Sequence, residues 1–287
     1  MNEINEIVGR IKDDGFVVID NYCDGDELDA LRLEVNALAK ENPVFIKKHA
    51  MTRGESFLLN MVPARVQGSN GGLEGTAQIR GLFEGGVLPA ITTKYLSQGW
   101  GVSNFIYHKA TAEEFGSQEL FPLHYDNFQN CFCLKGFLYL EDCAVVNGAL
   151  RFIPGTHNLV RKVLRLNPDA SSSTQENRLD VFTDVIDRTN LNAFTQDEKK
   201  LIGELKEVLA DPKKSLKYAI ERKAGSLVLF DTIGIHGGVS VMRGERWVAR
   251  FHLVDRKYRF WNHPEQEGFL MGLFSRFCRK VKRIVGY

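Results

Sequence analysis

Phe121-Pro-Leu-His-Tyr-Asp126, followed shortly by the nearly unbroken apolar run Cys131-Phe-Cys-Leu-Lys-Gly-Phe-Leu-Tyr-Leu140, is the stretch that decides how this chain folds. A run of that length and apolarity suits a strand buried on both faces. In an extended chain residues two apart share a face, so the His124 imidazole and the Asp126 carboxylate converge on one point. A nitrogen and an oxygen donor there, joined by a second imidazole from elsewhere, make the facial triad that holds iron(II) and leaves positions open for oxygen and a co-substrate. Taken alone, the tripeptide fits a solvated histidine beside an aspartate better than a metal site. The later sequence reverses that preference, and His236 is the candidate for the third donor.

Working outward, residues 102–109 read as a strand, 110–120 as a polar connection, Asn147-Gly148 as a turn and 149–153 as a further strand. Pro154-Gly-Thr-His157 ends that strand, with His157 in a structural or rim role. Residues 224–231 form the next strand and deliver Gly234-Ile-His-Gly-Gly238, whose glycines allow close approach to a ligand. In 246–254 the period is two: Trp247, Ala249, Phe251 and Leu253 share one face, and Arg246, Val248, Arg250 and His252 the other. Many strands of this kind mark a barrel or sandwich. Two arginines on an inward face are costly unless something anionic meets them. A dicarboxylate co-substrate would serve, since a guanidinium grips a carboxylate bidentately, and Arg246 starts its strand near the proposed metal. An ion pair with an acidic side chain is the alternative.

The remaining segments read as helices and connections. Residues 3–13 predict a short helix and 15–19 a strand. A helix comes next in which Asp24 and Glu27 resemble a capping box, Leu28, Leu31, Val35 and Leu38 share a face, and Asn42-Pro43 stops the run. Residues 44–86, rich in glycine and without a sustained period, predict a long irregular segment at the rim of a site. A helix spans about 87–98, with Leu88, Ile91 and Tyr95 on one side. Residues 158–222 interrupt the strands as a largely helical insertion. Within it Thr195 and Glu198 make a capping box before Leu201, Ile202, Leu205, Val208 and Leu209. Two roles stay open for this insertion, packing outside the sheet or a lid over the site.

With 287 residues, 44% of them hydrophobic, the chain can bury one large core. Thirty-seven basic against 36 acidic residues give no overall field for nucleic acid. No apolar run of signal-peptide or membrane-spanning length occurs, which predicts a cytoplasmic protein. Five cysteines without paired spacing argue against a disulfide framework and against structural zinc. The expected organisation is one domain over 1–268 and a basic amphipathic helix over 269–287. In that helix Leu270, Leu273, Phe274, Phe277, Val281, Ile284 and Val285 form a stripe among Arg276, Arg279, Lys280 and Arg283. Such a helix packs on the domain or on a second subunit, or touches an anionic membrane surface peripherally.

Taken together, Gly15-Phe-Val-Val-Ile-Asp, Asp26-Glu-Leu-Asp-Ala-Leu-Arg, Pro-Leu-His124-Tyr-Asp126, Asn147-Gly-Ala-Leu-Arg-Phe-Ile-Pro-Gly-Thr-His157, Gly225-Ser-Leu-Val-Leu-Phe-Asp231 and His236-Gly resemble the phytanoyl-CoA dioxygenase family, in order, over roughly residues 14–255. The resemblance implies a mainly β fold with flanking helices (α+β), a double-stranded β-helix or jelly roll of cupin-like form. It implies iron(II), 2-oxoglutarate and O2 as cofactor and co-substrates, and His124, Asp126 and His236 as metal ligands. Arg246 matches the co-substrate arginine, Phe137 an aromatic residue beside 2-oxoglutarate, and Tyr107 and Lys109 lie on a strand that often adds contacts. Many members carry a hydroxyl residue two positions after the second histidine; here it is Gly238, with Ser240 as a stand-in. The implied reaction couples oxidative decarboxylation of 2-oxoglutarate, to succinate and carbon dioxide, to hydroxylation of an aliphatic carbon in a small metabolite, natural product, sugar or lipid-linked substrate. Related halogenases replace the metal-bound carboxylate with a small residue, which Asp126 speaks against. A non-catalytic jelly-roll binding protein and a cupin-like metalloenzyme not using 2-oxoglutarate are the rival readings.

Overall fold

Strand β1 (Phe16–Ile19) lies at one edge of a seven-stranded antiparallel sheet that continues through β8 (Leu227–Asp231), β5 (Cys133–Tyr139), β10 (Glu245–Asp255), β4 (Trp100–Thr111), β3 (Glu55–Leu59) and β2 (Ile46–Lys48). A smaller sheet holds β7 (Ala219–Ile220), β6 (Leu150–Phe152) and β9 (His236–Gly238). The computed structural model describes residues 2–41, 46–48, 55–59, 77–96, 100–111, 120–126, 133–168 and 178–255. The expected helix at 269–287, with its membrane contact, lies outside the described residues.

The register of the large sheet sorts its side chains onto two faces. Opposite residues share a face, so Ala249 aligns with Tyr107 and Leu138, whereas Val248 aligns with His108 and Tyr139. Leu134, Leu138, Leu227, Leu229, Ala249, Phe251 and Leu253 turn outward into a core covered by α1 (Asn2–Asp14), α2 (Gly25–Glu41), α3 (Ala77–Glu84) and α4 (Leu88–Leu96). Val228, Phe230, Tyr139 and Val248 turn inward and meet Leu150 and Phe152 of the small sheet. Phe152 stands edge-on to Phe230 at 5.7 Å and tilted against Phe16 at 5.2 Å. Two facing antiparallel sheets with helices outside the larger one make a jelly roll. The unbroken apolarity around β5 has its cause here, because β5 is covered on both sides.

A third cluster explains the helices between β6 and β7. α5 (Thr156–Leu166), α6 (Leu179–Arg188) and α7 (Gln196–Ala210) bury Leu159, Val160, Val163, Phe182, Ile186, Ile202 and Leu205 together with Leu123, Tyr125 and Ile235. Thr195 caps α7 as its sequence predicts: the Thr195 oxygen accepts from the Glu198 amide at 3.2 Å, and a Glu198 oxygen accepts from the Thr195 amide at 2.7 Å. Two expectations differ. Residues 44–86 are not one irregular segment, since β2 and β3 extend the large sheet and α3 buries Ile79, Leu82 and Phe83. The two strands are short, and their hydrogen bonds come from each other and the long strand β4, a tertiary cause that leaves no local period. The turn at Pro154 runs directly into α5, where the His157 Nε2 lies 2.9 Å from the Lys12 carbonyl and joins α5 to α1. No described helix is long and apolar enough to cross a membrane.

Candidate metal centre

The strand through Leu120–Asp126 adds to the small sheet beside β9, with His124 and His236 exchanging backbone hydrogen bonds of 2.9 and 2.8 Å. Alternation then fixes the side chains. Leu123 and Tyr125 turn into the core of α5–α7, and His124 and Asp126 turn the other way, toward His236. The insertion therefore buttresses the strand that carries two of the three candidate ligands.

One donor atom from each of His124, Asp126 and His236 lies within 4.8 Å of the others. Asp126 stands between the imidazoles, its Oδ1 3.8 Å from the His124 Nε2 and its Oδ2 3.6 Å from the His236 Nε2. Each Nδ1 lies against a carbonyl, Pro122 O at 3.1 Å for His124 and Gly234 O at 2.8 Å for His236. A carbonyl only accepts, so each Nδ1 carries the proton and each Nε2 offers a lone pair toward the centre. The His236 Nε2 is buried and has no hydrogen-bond partner, a costly arrangement that a metal ion would relieve. Burial and the facing His236 push the His124 imidazole down to about 4, so it is neutral and available as a ligand. Burial alone would raise the Asp126 carboxyl, but the Lys135 ammonium, 3.2 Å from Oδ2, holds it well below the usual range. The His124 and Asp126 side chains keep 39% and 25% of their exposure against 3% for His236, so the centre opens on the side of the first two. Two imidazoles and a carboxylate converging with an open side fit the facial iron(II) donor set.

Arg246 is buried at the inward start of β10. One terminal nitrogen donates to the Gly148 carbonyl at 2.6 Å, and the other meets the His108 Nδ1 at 3.2 Å. Gly148 is needed there, having φ +90°, and a Cβ would come within 2.8 Å of the Val239 carbonyl. Gly238 also lies beside Arg246: a Cβ on it would stand 3.6 Å from the guanidinium and 3.3 Å from the Phe121 ring. Phe121 thus crowds the place where a hydroxyl side chain would begin.

The structure corrects two expected contacts. Tyr107 and Lys109 do not face the centre: Tyr107 is buried in the outer core, and Lys109 pairs with Glu245 at 2.9 Å and lies over Trp247. The residue between them, His108, turns inward to Arg246. Because a guanidinium only donates, the His108 Nδ1 accepts and its Nε2 carries the proton. Phe137 does face inward, edge-on to Phe230 at 5.5 Å. Ser240 is half-buried just beyond β9.

Three residues escape a reading of the sequence alone. His108 is hidden by one register step, and Lys135 by the apolar run around it. Arg151 lies within the stretch Asn147 to His157, among residues that read as an ordinary strand. It is only 1% exposed and donates to Ser215 Oγ at 2.5 Å, to the Gly238 carbonyl at 2.7 Å and to the Phe121 carbonyl. Leu120 pairs with Val239 but His124 with His236, so the register slips by one residue between these pairs, as at a β-bulge. The two carbonyls that Arg151 holds flank that slip. Its guanidinium therefore ties the strand of His124 and Asp126 to the strand of His236.

The sequence matches the family model for phytanoyl-CoA dioxygenase (PhyH) over residues 11–242, so Arg246 lies just beyond the matched stretch. Among solved structures, the chain is similar to the non-heme α-ketoglutarate-dependent carbocyclase SnoK from nogalamycin biosynthesis (14% identity over 87% of this chain and 83% of that one, TM-score 0.55). It is also similar to the epimerase SnoN in complex with Fe3+, α-ketoglutarate and nogalamycin RO (14% identity, 88% and 84% covered, TM-score 0.53). HygX from Streptomyces hygroscopicus with nickel and 2-oxoglutarate bound is a third (13% identity, 87% and 86% covered, TM-score 0.51). No curated protein matches the sequence. These structures share the jelly-roll fold, and the family match covers most of the chain. The chain belongs to the phytanoyl-CoA dioxygenase family of 2-oxoglutarate-dependent enzymes.

Proposed function

We propose that the protein is an Fe(II)- and 2-oxoglutarate-dependent oxygenase that hydroxylates an aliphatic carbon of a small molecule, with His124, Asp126 and His236 holding the metal. The observation that carries this reading is the convergence of the two Nε2 lone pairs and the Asp126 carboxylate, with the His236 nitrogen buried and unpartnered. When bound, iron and 2-oxoglutarate supply the oxidising chemistry; the chain positions the reactants and limits water. Pro122 and Gly234 set the imidazole tautomers. Arg246 holds the far carboxylate of 2-oxoglutarate. His108 replaces the missing hydroxyl partner at that carboxylate, since Arg246 fixes its tautomer with a proton on Nε2. Phe137 forms an apolar wall beside the co-substrate, and Ser240 is a further polar group near the clamp.

SnoN has been crystallised with nogalamycin RO and HygX with hygromycin B, which supports a small-molecule substrate here. SnoN and SnoK are an epimerase and a carbocyclase, so hydroxylation is one outcome among those this fold hosts. Succinate measured after incubation with 2-oxoglutarate, iron(II) and oxygen tests the reading. Succinate that needs all three, and is lost in His236→Ala, supports it; none from iron-loaded wild-type protein contradicts it.

A further inference from the structure

Lys135 is a charged residue on the inner wall of the jelly roll, in the middle of the most apolar strand of the chain. Its neighbours across the sheet are Phe230 on β8 and His252 on β10, and its side chain keeps only 11% of its exposure. Among the described residues its ammonium pairs with Asp126, at 3.2 Å, and it lies 6.0 Å from the centre of the Phe230 ring. That carboxylate is the one a metal ion would claim.

Lys135 and Arg246 bring two positive charges to this wall and Asp126 offsets one of them. A divalent metal and a 2-oxoglutarate dianion cancel each other, so loading leaves that surplus in place while the metal claims the carboxylate that pairs with Lys135. Among the described residues no other carboxylate belongs to the cluster around His124 and His236, and Arg250 and His252, next on the same wall, bring no negative charge. Counted over the described residues, the loaded site keeps a surplus positive charge in a largely buried place, where an unbalanced ion is expensive. An ammonium has three donors, and a metal that draws on Asp126 weakens its hold on Lys135.

We infer that the substrate carries an oxyanion, a carboxylate, sulfate or phosphate group, and that Lys135 anchors it beside the metal; this rests on the proposed iron and 2-oxoglutarate chemistry. The anion restores the charge balance and fixes one end of the substrate near the metal. Apolar walls from Phe230 and Phe137 then suit the carbon skeleton. The site discriminates against neutral or cationic analogues, because they leave Lys135 uncompensated. Metal and co-substrate bind before the substrate in this scheme, since only they release the ammonium from Asp126.

Cobalt(II)-loaded protein, which does not turn over, gives the test. Sulfate is titrated at saturating 2-oxoglutarate and constant ionic strength, and cobalt absorption is followed, with saturation by metal and 2-oxoglutarate established separately for each variant. The expected result is a saturable sulfate response in the wild type that survives a tenfold increase in 2-oxoglutarate. Lys135→Arg, which keeps the charge, holds that response within a few-fold. Lys135→Gln, which can still donate to Asp126 but has no charge, weakens it at least tenfold. No saturable response in the wild type, an equal response in Lys135→Gln, or a response abolished by extra 2-oxoglutarate overturns the inference. Failure of the wild type to bind 2-oxoglutarate at all strikes the proposed function, whereas 2-oxoglutarate binding without a sulfate response strikes only the anion site.

Discussion

Arg246 shows how much chemistry a single register position decides. Its guanidinium is buried against the Gly148 carbonyl and His108, on the same wall as Arg250 but four residues earlier along β10. At strand rise the two arginines are roughly 13 Å apart. Arg246→Ala is therefore expected to raise the 2-oxoglutarate concentration needed for half-maximal succinate formation at least tenfold, with Arg250→Ala changing it far less. A larger effect at Arg250 would move the co-substrate one inward pair along the strand. His108→Leu removes the acceptor of Arg246 and should raise the same requirement several-fold, while Tyr107→Phe, on the outer face, should leave it within twofold. The His108 position was hidden in the sequence because residues 102–109 carry apolar groups on both sides of any register. What fixes β4 is its pairing with β10, where Lys109 meets Trp247 and His108 meets Val248.

At the scale of elements, the site depends on holding two strands in a slipped register, and Arg151 bridges the slip. Replacing it by Met leaves the Phe121 and Gly238 carbonyls and the Ser215 hydroxyl without their buried donor, which costs about 3 kcal/mol on the usual scale of such losses. The expected outcome is a melting temperature several degrees lower together with weaker metal binding, because the linked strands carry His124 and His236; unchanged metal affinity would show that the clamp serves stability alone. Thr195→Ala, far from the centre, should cost about 1 kcal/mol through the lost cap of α7 and leave metal affinity unaltered, as read by thermal melting and metal titration. Both capping residues were legible because the signal is local. The strands β2 and β3 were not, since their partners are distant in sequence, and α3 was missed although Ile79, Leu82 and Phe83 carry helical spacing. The pairing of His124 with Asp126 was legible because alternation places them together whatever the rest of the fold does, whereas His236 as the third donor rested on the glycine-flanked histidine after β8 and on the family resemblance.

For the molecule as a whole, two sheets, an outer helical layer and a helical buttress behind the ligand strand leave the centre open on the side of His124 and Asp126. The basic amphipathic stretch at 269–287 adds a separate expectation: intact protein should float with anionic liposomes and protein truncated after Gly268 should not, with equal behaviour of the two returning that stretch to packing. In the proposed function His124, Asp126 and His236 hold iron(II), and Arg246 holds the far end of the 2-oxoglutarate bound to it. Anaerobic titration of iron(II)-loaded protein with 2-oxoglutarate, followed by the visible charge-transfer absorption of the chelate, tests it most directly. A saturable band in the wild type, absent in His124→Ala and His236→Ala and shifted to higher 2-oxoglutarate in Arg246→Ala, is the predicted result; no band in the wild type, or an undiminished one in His236→Ala, would contradict it.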